Sequence, residues 1–228
     1  MKIVFVGAKG GVGCTSFALL LGKNLDHSIY VSLNFGRKDA SLALNAEAPI
    51  YDLYDACNRG ADLEECIIKT EKIHLLEGPL LKNRQDLNLE GLKKVLEDLE
   101  KTYDHILLDL GPAWKELEEI LDPQEVFFLS SSDRAGLYAM DQVKFNHHRW
   151  LDTAVFLFTG VSSRQKLLDL LDQEGLSFKE VKTLPRVAID QDGEVFSYPE
   201  EFIKIYTDSD CKEIVESKKG LFTRLLRG

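Results

Sequence analysis

A glycine-rich stretch near the start of the chain, GAKGGVGCTS at residues 7–16, has the composition of a loop that binds phosphate. It follows an apolar run at residues 3–6 and precedes a second one at residues 17–21, which predicts a strand, a tight turn and the start of a helix. Glycines let several backbone N–H groups converge on one anion, and the N-terminus of a helix adds partial positive charge. The stretch therefore predicts binding of a phosphorylated ligand.

One position of this loop departs from the general pattern of phosphate-binding loops, G-x-x-x-x-G-K-[ST]. Cys14 stands where the pattern requires lysine, and it is followed by the hydroxyl residue Thr15. A helix N-terminus can activate a thiol, but no histidine stands near Cys14 in the sequence, so we interpret it as a substitution and not as a nucleophile. The loop should bind phosphate without its usual cation.

The elements that must position this loop follow from the rest of the chain, in which apolar, β-branched runs alternate with helical patterns. This alternation predicts a three-layer α/β fold, with a mostly parallel twisted sheet and helices on both faces. Residues 39–69 are less regular and should hold short helices, one of them beginning after Asp62. Strands are expected at 2–6, 28–33, 73–77, 105–109, 126–130, 153–158 and 180–184, and helices at 15–26, 89–102, 113–120, 134–147 and 164–173.

The composition argues against a nucleic-acid-binding, a disulfide-bonded and a membrane-spanning protein. The 228 residues carry a formal net charge of -10, which argues against a nucleic-acid partner. The four cysteines stand far apart, as expected for free thiols in a reducing cytoplasm. No apolar run approaches the roughly 18 residues that are needed to span a bilayer. The apolar run at the N-terminus is too short for the hydrophobic region of a secretion signal. We expect a cytoplasmic protein with one domain at residues 1–217 and a tail at residues 218–228.

Residues 9–15, KGGVGCT, resemble the deviant Walker A motif, K-G-G-x-G-K-[ST], of the MinD/ParA family of P-loop ATPases. The resemblance extends to residues 103–112, YDHILLDLGP, which are similar to the Walker B and switch II segment of that family. The pair Leu184 and Pro185 is similar to a strand end whose proline flanks adenine. The resemblance implies ATP and Mg²⁺ as cofactors and a homodimer whose subunits meet face to face.

The resemblance also implies roles for individual residues. Lys9 matches the lysine that reaches the phosphates of the partner subunit's ATP. Thr15 matches the Mg²⁺ ligand, and Asp109 the carboxylate that supports the ion through water. A solvated lysine and a structural aspartate are the alternatives for Lys9 and Asp109. The residues expected to contact nucleotide are Lys9, Gly10, Gly11, Val12, Gly13, Cys14, Thr15, Ser16 and Pro185.

The second strand argues against fast hydrolysis. In MinD-like ATPases it ends in D-x-D, and the corresponding residues here are Ser32 and Asn34. Phosphoryl transfer depends on positioned charge, so losing these carboxylates and the lysine at Cys14 should slow it severely. Two alternatives stay open: a slow but active ATPase that uses Lys9 and Asp109, and an interaction module that has lost its nucleotide.

One branch of the family, the TadZ/CpaE proteins that position Tad pilus machinery, commonly has a small residue in place of the Walker A lysine. Residues 7–16 and 33–36 look like that branch. The resemblance implies a dimeric positioning or scaffold factor with a protein partner that the sequence does not identify. Placement of the division site or of flagella are alternative processes.

The last residues, KKGLFTRLLRG at 218–228, place four apolar side chains on one face of a helix, with basic residues around them. This is the pattern of a helix that lies on anionic lipid, and it resembles the membrane-targeting tail of MinD-type proteins. We therefore expect peripheral binding at the inner face of the plasma membrane. The alternative is a last helix that packs on its own domain. The apolar residues are Leu221, Phe222, Leu225 and Leu226.

Three further residue types that often mark sites have plainer interpretations here. The adjacent His147 and His148 have no partner at metal-ligand spacing, so they are expected on the surface at a helix end. Trp114 and Trp150 are expected to be packing residues. The acidic run ELEE at residues 116–119 is expected to be a solvated helix face.

Overall fold

The computed structural model describes residues 1–36, 38–47, 49–112, 114–161 and 163–183. Two predicted features, the adenine-flanking Pro185 and the basic tail at residues 218–228, lie outside the described residues. In the part of the chain that the structure describes, no helix combines the length and apolar character needed to cross a membrane.

The structure confirms the expected sheet. Within the described residues its strands are β1 Lys2–Gly7, β2 Ser28–Ser32, β3 Ile67–Ile68, β4 His74–Leu76, β5 His105–Pro112, β6 Glu125–Ser131, β7 Ala154–Thr159 and β8 Val181–Thr183. These eight strands form one sheet in the order β3-β4-β2-β5-β1-β6-β7-β8. Each pairing among them is parallel except the one between β3 and β4, at the edge of the sheet. The glycine-rich loop follows β1, which lies between β5 and β6 near the centre of the sheet.

Several helices begin where a short polar side chain caps the first N–H groups. Asp62 accepts from the backbone N–H of Glu64 at 3.1 Å, which confirms the predicted cap. Asp133 accepts from Gly136 N–H at 2.7 Å. The helices are α1 Cys14–Gly22, α2 Asp39–Ala43, α3 Leu53–Arg59, α4 Leu63–Cys66, α5 Leu89–Thr102, α6 Arg134–Asn146 and α7 Arg164–Gln173.

Alternate strand residues face opposite layers of helix. Phe5 and Phe127 contact Phe17 of α1, with ring centroids 5.7 and 5.2 Å from that ring. Their strand neighbours Val4 and Phe128 belong to the core on the other face, with buried residues of α5, α6 and α7. This alternation confirms a sheet with helices on both faces, and it places the odd-numbered residues of β5, including Asp109, on the side of α1.

Two predicted helices differ from the structure. The first ends at Gly22 and not near residue 26, because Asn24 Nδ2 donates to the carbonyl of Leu20 and Ser28 Oγ to that of Gly22. The helix predicted at 113–120 is a 3-10 segment, Lys115–Glu119. Its Glu118 turns into the core, so the segment does not have one solvated face as the sequence pattern suggested.

The prediction that His147 lies on the surface is wrong, because the side chain is fully buried beside the Glu118 carboxylate. His147 Nδ1 lies 2.9 Å from Glu118 Oε1, and its ring stacks on Trp150 at 5.3 Å. Burial lowers the pKa of His147, although the Glu118 carboxylate opposes the shift. A neutral imidazole therefore satisfies a buried carboxylate, and the pair joins the end of α6 to the segment after β5. His148 is exposed, as expected.

Candidate phosphate-binding site

The backbone of the loop after β1 needs glycine at two positions. Gly11 has φ 77° and Gly13 has φ 92°, both in the left-handed region that favours glycine. A Cβ added to Gly10, Gly11 or Gly13 would meet nothing within 4 Å, so backbone conformation and open space, not crowding, account for these residues. A loop of this shape turns successive N–H groups toward one concave side.

The first turn of α1 opens onto that concave side. Its N-cap residue is Gly13, which has no side chain to cap the helix, and its first turn contains no acidic residue. The first N–H groups of a helix have no acceptor within it. A cavity of about 340 Å³ lies in front of them. The arrangement fits an anion, and the residues expected to contact nucleotide from Lys9 to Ser16 all line this cavity.

Cys14 gives this cavity no charge. Its side chain is only 8% exposed and lies close to Gly7. Burial and the Asp109 carboxylate raise the pKa of the thiol well above its usual range, so the thiol stays protonated near neutral pH. The same shift argues against a thiolate nucleophile.

Asp109 lies fully buried behind the loop and accepts three hydrogen bonds. Thr15 Oγ1 donates to Oδ2 at 2.6 Å, Tyr30 Oη donates to the same oxygen at 2.8 Å, and Gly111 N–H donates to Oδ1 at 2.9 Å. Burial raises the pKa of this carboxyl, and the three donors oppose the shift. The structure thus brings together Thr15 and Asp109, the two residues expected at the metal.

Sequence reasoning missed Tyr30 and Asp39. Tyr30 shares a face of β2 with Ser32, and this period of two was the signal that could have placed its hydroxyl near the site. Asp39, at the start of α2, lines the cavity, and its charge contributes to the raised pKa of Asp109. It lies too far along the chain from the loop for spacing to reveal it.

Ser32 and Asn34 take the positions of the missing carboxylates. Ser32 is buried and lies opposite Asp109 in the pairing of β2 with β5. Asn34 lines the cavity and packs against Gly111, where an added Cβ would lie 2.5 Å from Asn34 Oδ1. Both side chains are neutral, so this wall of the cavity carries less negative charge than two aspartates would give it.

Lys9 makes an ion pair within its own chain. Its Nζ lies 3.2 and 3.3 Å from the two carboxylate oxygens of Asp133, the N-cap residue of α6. Both side chains are substantially exposed, at 36% and 59%. Exposed ion pairs contribute about 0–1 kcal/mol, so this one opens easily.

The described side chains around the cavity supply only part of the ligand set of a divalent ion. Among the described residues, no three or more His, Cys, Asp or Glu side chains are grouped so that they could hold a metal. The Thr15 hydroxyl and the Asp109 carboxylate fit an ion whose other ligands are phosphate oxygens and water.

Part of the chain matches the characterised septum site-determining protein MinD from several bacterial strains. Over 120 residues the chain is 28% identical to the septum site-determining protein MinD of Escherichia coli (strain K12). The aligned segment covers 49% of this chain. The match spans 44% of that MinD, less than half its length. No protein-family model matches the chain.

Solved structures match over more of the chain. MinD from Pyrococcus horikoshii OT3, complexed with Mg-ADP, has a TM-score of 0.66 at 17% identity, with 85% of this chain and 84% of that chain covered. A plasmid partition protein from Borrelia burgdorferi B31, bound to AMPPNP, has a TM-score of 0.67 at 16% identity, with 90% and 94% covered. The chain therefore has the fold of the MinD/ParA P-loop ATPases.

Proposed function

We propose that this chain is a MinD/ParA-type protein that binds ATP with Mg²⁺ in front of the 7–16 loop and hydrolyses it slowly or not at all. The observation that carries the proposal is the pairing of an intact phosphate cradle with a neutral Cys14. The uncapped first turn of α1 and the left-handed glycines face a cavity in which Thr15 already contacts Asp109.

Each residue has a task in this proposal. Backbone N–H groups from Gly10 to Ser16 bind the phosphates, and Pro185 flanks the adenine. Thr15 Oγ1 would ligate the ion, with Asp109 oriented by Tyr30 and Gly111 N–H behind it. Bound Mg²⁺ would offset phosphate charge that no lysine at position 14 neutralises. The nucleotides in the two solved neighbours support this choice of ligand.

Slow chemistry follows from the charges around the terminal phosphate. Charge stabilisation is the main contribution of proteins to phosphoryl transfer, and Cys14, Ser32 and Asn34 are all neutral here. The second candidate, a slow but active ATPase, is favoured by one observation: Asp39 lines the same cavity and could orient water.

Affinity and turnover separate these candidates. Calorimetry should show ATP binding that weakens when Mg²⁺ is chelated, while phosphate release stays near the background rate. Slow turnover that is clearly above the background rate, and that is abolished in Asp39→Asn and in Asp109→Asn, would establish the slow but active ATPase instead. Absence of ATP and ADP binding would leave an interaction module. Lys94→Ala, on the exposed face of α5, is the matched surface control.

The output of such a site is a homodimer that positions a partner protein at the membrane. Lys9 would leave Asp133 and contact the phosphates of the partner subunit, so ATP would join the two chains. The likeness of residues 7–16 and 33–36 to TadZ/CpaE proteins supports localisation of Tad pilus machinery. The partial match to a septum site-determining protein supports division-site placement as the alternative.

Two tails per dimer would make membrane binding depend on nucleotide, because linked weak sites gain avidity. With ATP, the full chain should sediment with vesicles that contain anionic lipid, and removal of residues 221–228 should release it. Leu225→Asn should weaken sedimentation, and the same change at Leu42, an exposed apolar residue of α2, serves as the control. A full chain that stays in the supernatant with ATP, ADP and no nucleotide would refute membrane binding.

A further inference from the structure

The strand that carries Asp109 contains an irregularity beside the cavity. Phe5 of β1 lies opposite Asp109 and Gly7 lies opposite Pro112, so two steps along β1 match three along β5. The extra residue is accommodated around Gly111, whose φ is 60°. An extra residue interrupts the ladder of hydrogen bonds and leaves backbone groups that need other partners.

Arg84 supplies those partners. Its Nη2 donates to the carbonyl of Leu110 at 2.6 Å and its Nη1 to that of Pro112 at 2.8 Å, so the guanidinium brackets Gly111 from both sides. It also lies 5.4 Å from the ring centroid of Trp114. The planar fork of arginine suits two acceptors at once, which a lysine ammonium cannot match in geometry.

Arg84 is itself held in place. It begins a 3-10 turn, Arg84–Asp86, in which the Asp86 carboxylate accepts from Asn83 N–H at 3.2 Å. Asn58 Nδ2 donates to the Asp86 carbonyl at 2.7 Å, which ties the turn to α3. Burial lowers the pKa of the half-buried guanidinium, and the Asp109 charge opposes that shift. The half-buried Arg84 guanidinium therefore uses its charge to bind backbone carbonyls at the edge of the candidate site.

The bracketed glycine belongs to the wall of the cavity. Gly111 and Pro112 line it together with Asn34 and Asp39. Gly111 N–H also orients the Asp109 carboxylate. A terminal phosphate held in the cavity in front of the loop would therefore lie beside this wall.

We propose that Arg84 is a positioning residue of the nucleotide site, which acts through Gly111 to hold the wall that receives the terminal phosphate. The inference rests on the proposed function and deepens it, because it names the residue that lets the site distinguish ATP from ADP. Arg84 touches neither nucleotide. It sets the place of the Gly111 backbone and, through it, the orientation of Asp109.

The test compares Arg84→Gln with Arg59→Gln. Arg59 is a matched control because it also lies over an aromatic ring, that of Tyr54, and makes a short contact with Asp55 away from the cavity. Calorimetry with Mg–ATP and with Mg–ADP should show an ATP affinity about tenfold weaker in Arg84→Gln, as expected for two lost charge-assisted bonds. ADP affinity should change less than about threefold, and Arg59→Gln should leave both unchanged.

Two further measurements keep the inference falsifiable. Amide exchange at Gly111, without nucleotide, should be about tenfold faster in Arg84→Gln than in the parent chain. Arg84→Lys keeps the charge but loses the fork, and it should behave like Arg84→Gln; full rescue by lysine would overturn the bracketing role. If Arg84→Gln does not fold, the same affinity measurements on Arg84→Lys test the inference.

The outcomes separate this inference from the proposed function. Equal weakening of ATP and ADP, or no weakening of either, would overturn the role of Arg84 while nucleotide binding by the parent chain stands. A parent chain that binds neither nucleotide would overturn both.

Discussion

Replacement of Cys14 by lysine should tighten the binding of Mg–ATP by about 10- to 100-fold, because a hydrogen bond between charged groups contributes about 1.5–3 kcal/mol. Cys14 already lines the cavity at the start of α1, where the general loop pattern has lysine. The ammonium group would extend past the first turn of the helix into a space that has the fully buried Asp109 carboxylate behind it. ATP should gain more than ADP if the added charge reaches the terminal phosphate.

Cys14→Met is the matched control, since it lengthens the side chain without adding charge. It should leave ATP affinity unchanged or weaken it slightly through overpacking against Gly7. Calorimetry measures the Mg–ATP affinity of the parent chain, Cys14→Lys and Cys14→Met, and circular dichroism checks that each of them folds. Equal affinities in the lysine and methionine variants would show that position 14 does not face the phosphates. Turnover should remain slow in Cys14→Lys, because Ser32 and Asn34 are still neutral.

Replacement of Lys9 by alanine should weaken ATP-dependent dimerisation by about 100-fold or more, while the monomer's affinity for ATP changes little. A symmetric dimer contains two copies of each contact, so two charge-assisted bonds of about 1.5 kcal/mol each are lost together. Sedimentation velocity with a non-hydrolysable ATP analogue measures the effect. Lys94→Ala, on the exposed face of α5, is the control.

Asp133→Asn distinguishes this role of Lys9 from a general loss of charge. Asparagine can still cap α6 by accepting from Gly136 N–H, but it removes the ion pair that holds Lys9 in its own subunit. An exposed pair contributes up to about 1 kcal/mol and each dimer breaks two of them, so dimers should form at up to about thirtyfold lower concentration. If Asp133→Asn weakens dimerisation as much as Lys9→Ala does, the two residues act as a structural pair, and the role of Lys9 across the interface is wrong.

The fold could be predicted because its signals are local and repeated. Leu92, Val95, Leu96 and Leu99 recur at helical spacing, and all four are buried on α5. The irregular parts had no such signal. Strand β3 has two residues, too few to show a period, and it pairs antiparallel at the sheet edge. Glu118 looked like part of a solvated helix face until the structure placed buried His147 beside it.

The sequence by itself determined the phosphate loop, its missing lysine and the neutral residues at the end of the second strand. These are properties of residue type and short-range spacing, which the chain order displays directly. Only the tertiary structure decided what surrounds the loop. Tyr30 donates a hydrogen bond to Asp109, and Asp39 lines the cavity. Arg84 binds the carbonyls on both sides of Gly111, and Asp133 forms an ion pair with Lys9. These groups come from separate elements whose ends meet at one edge of a parallel sheet. Their contacts depend on strand order and register, which no single stretch of sequence specifies.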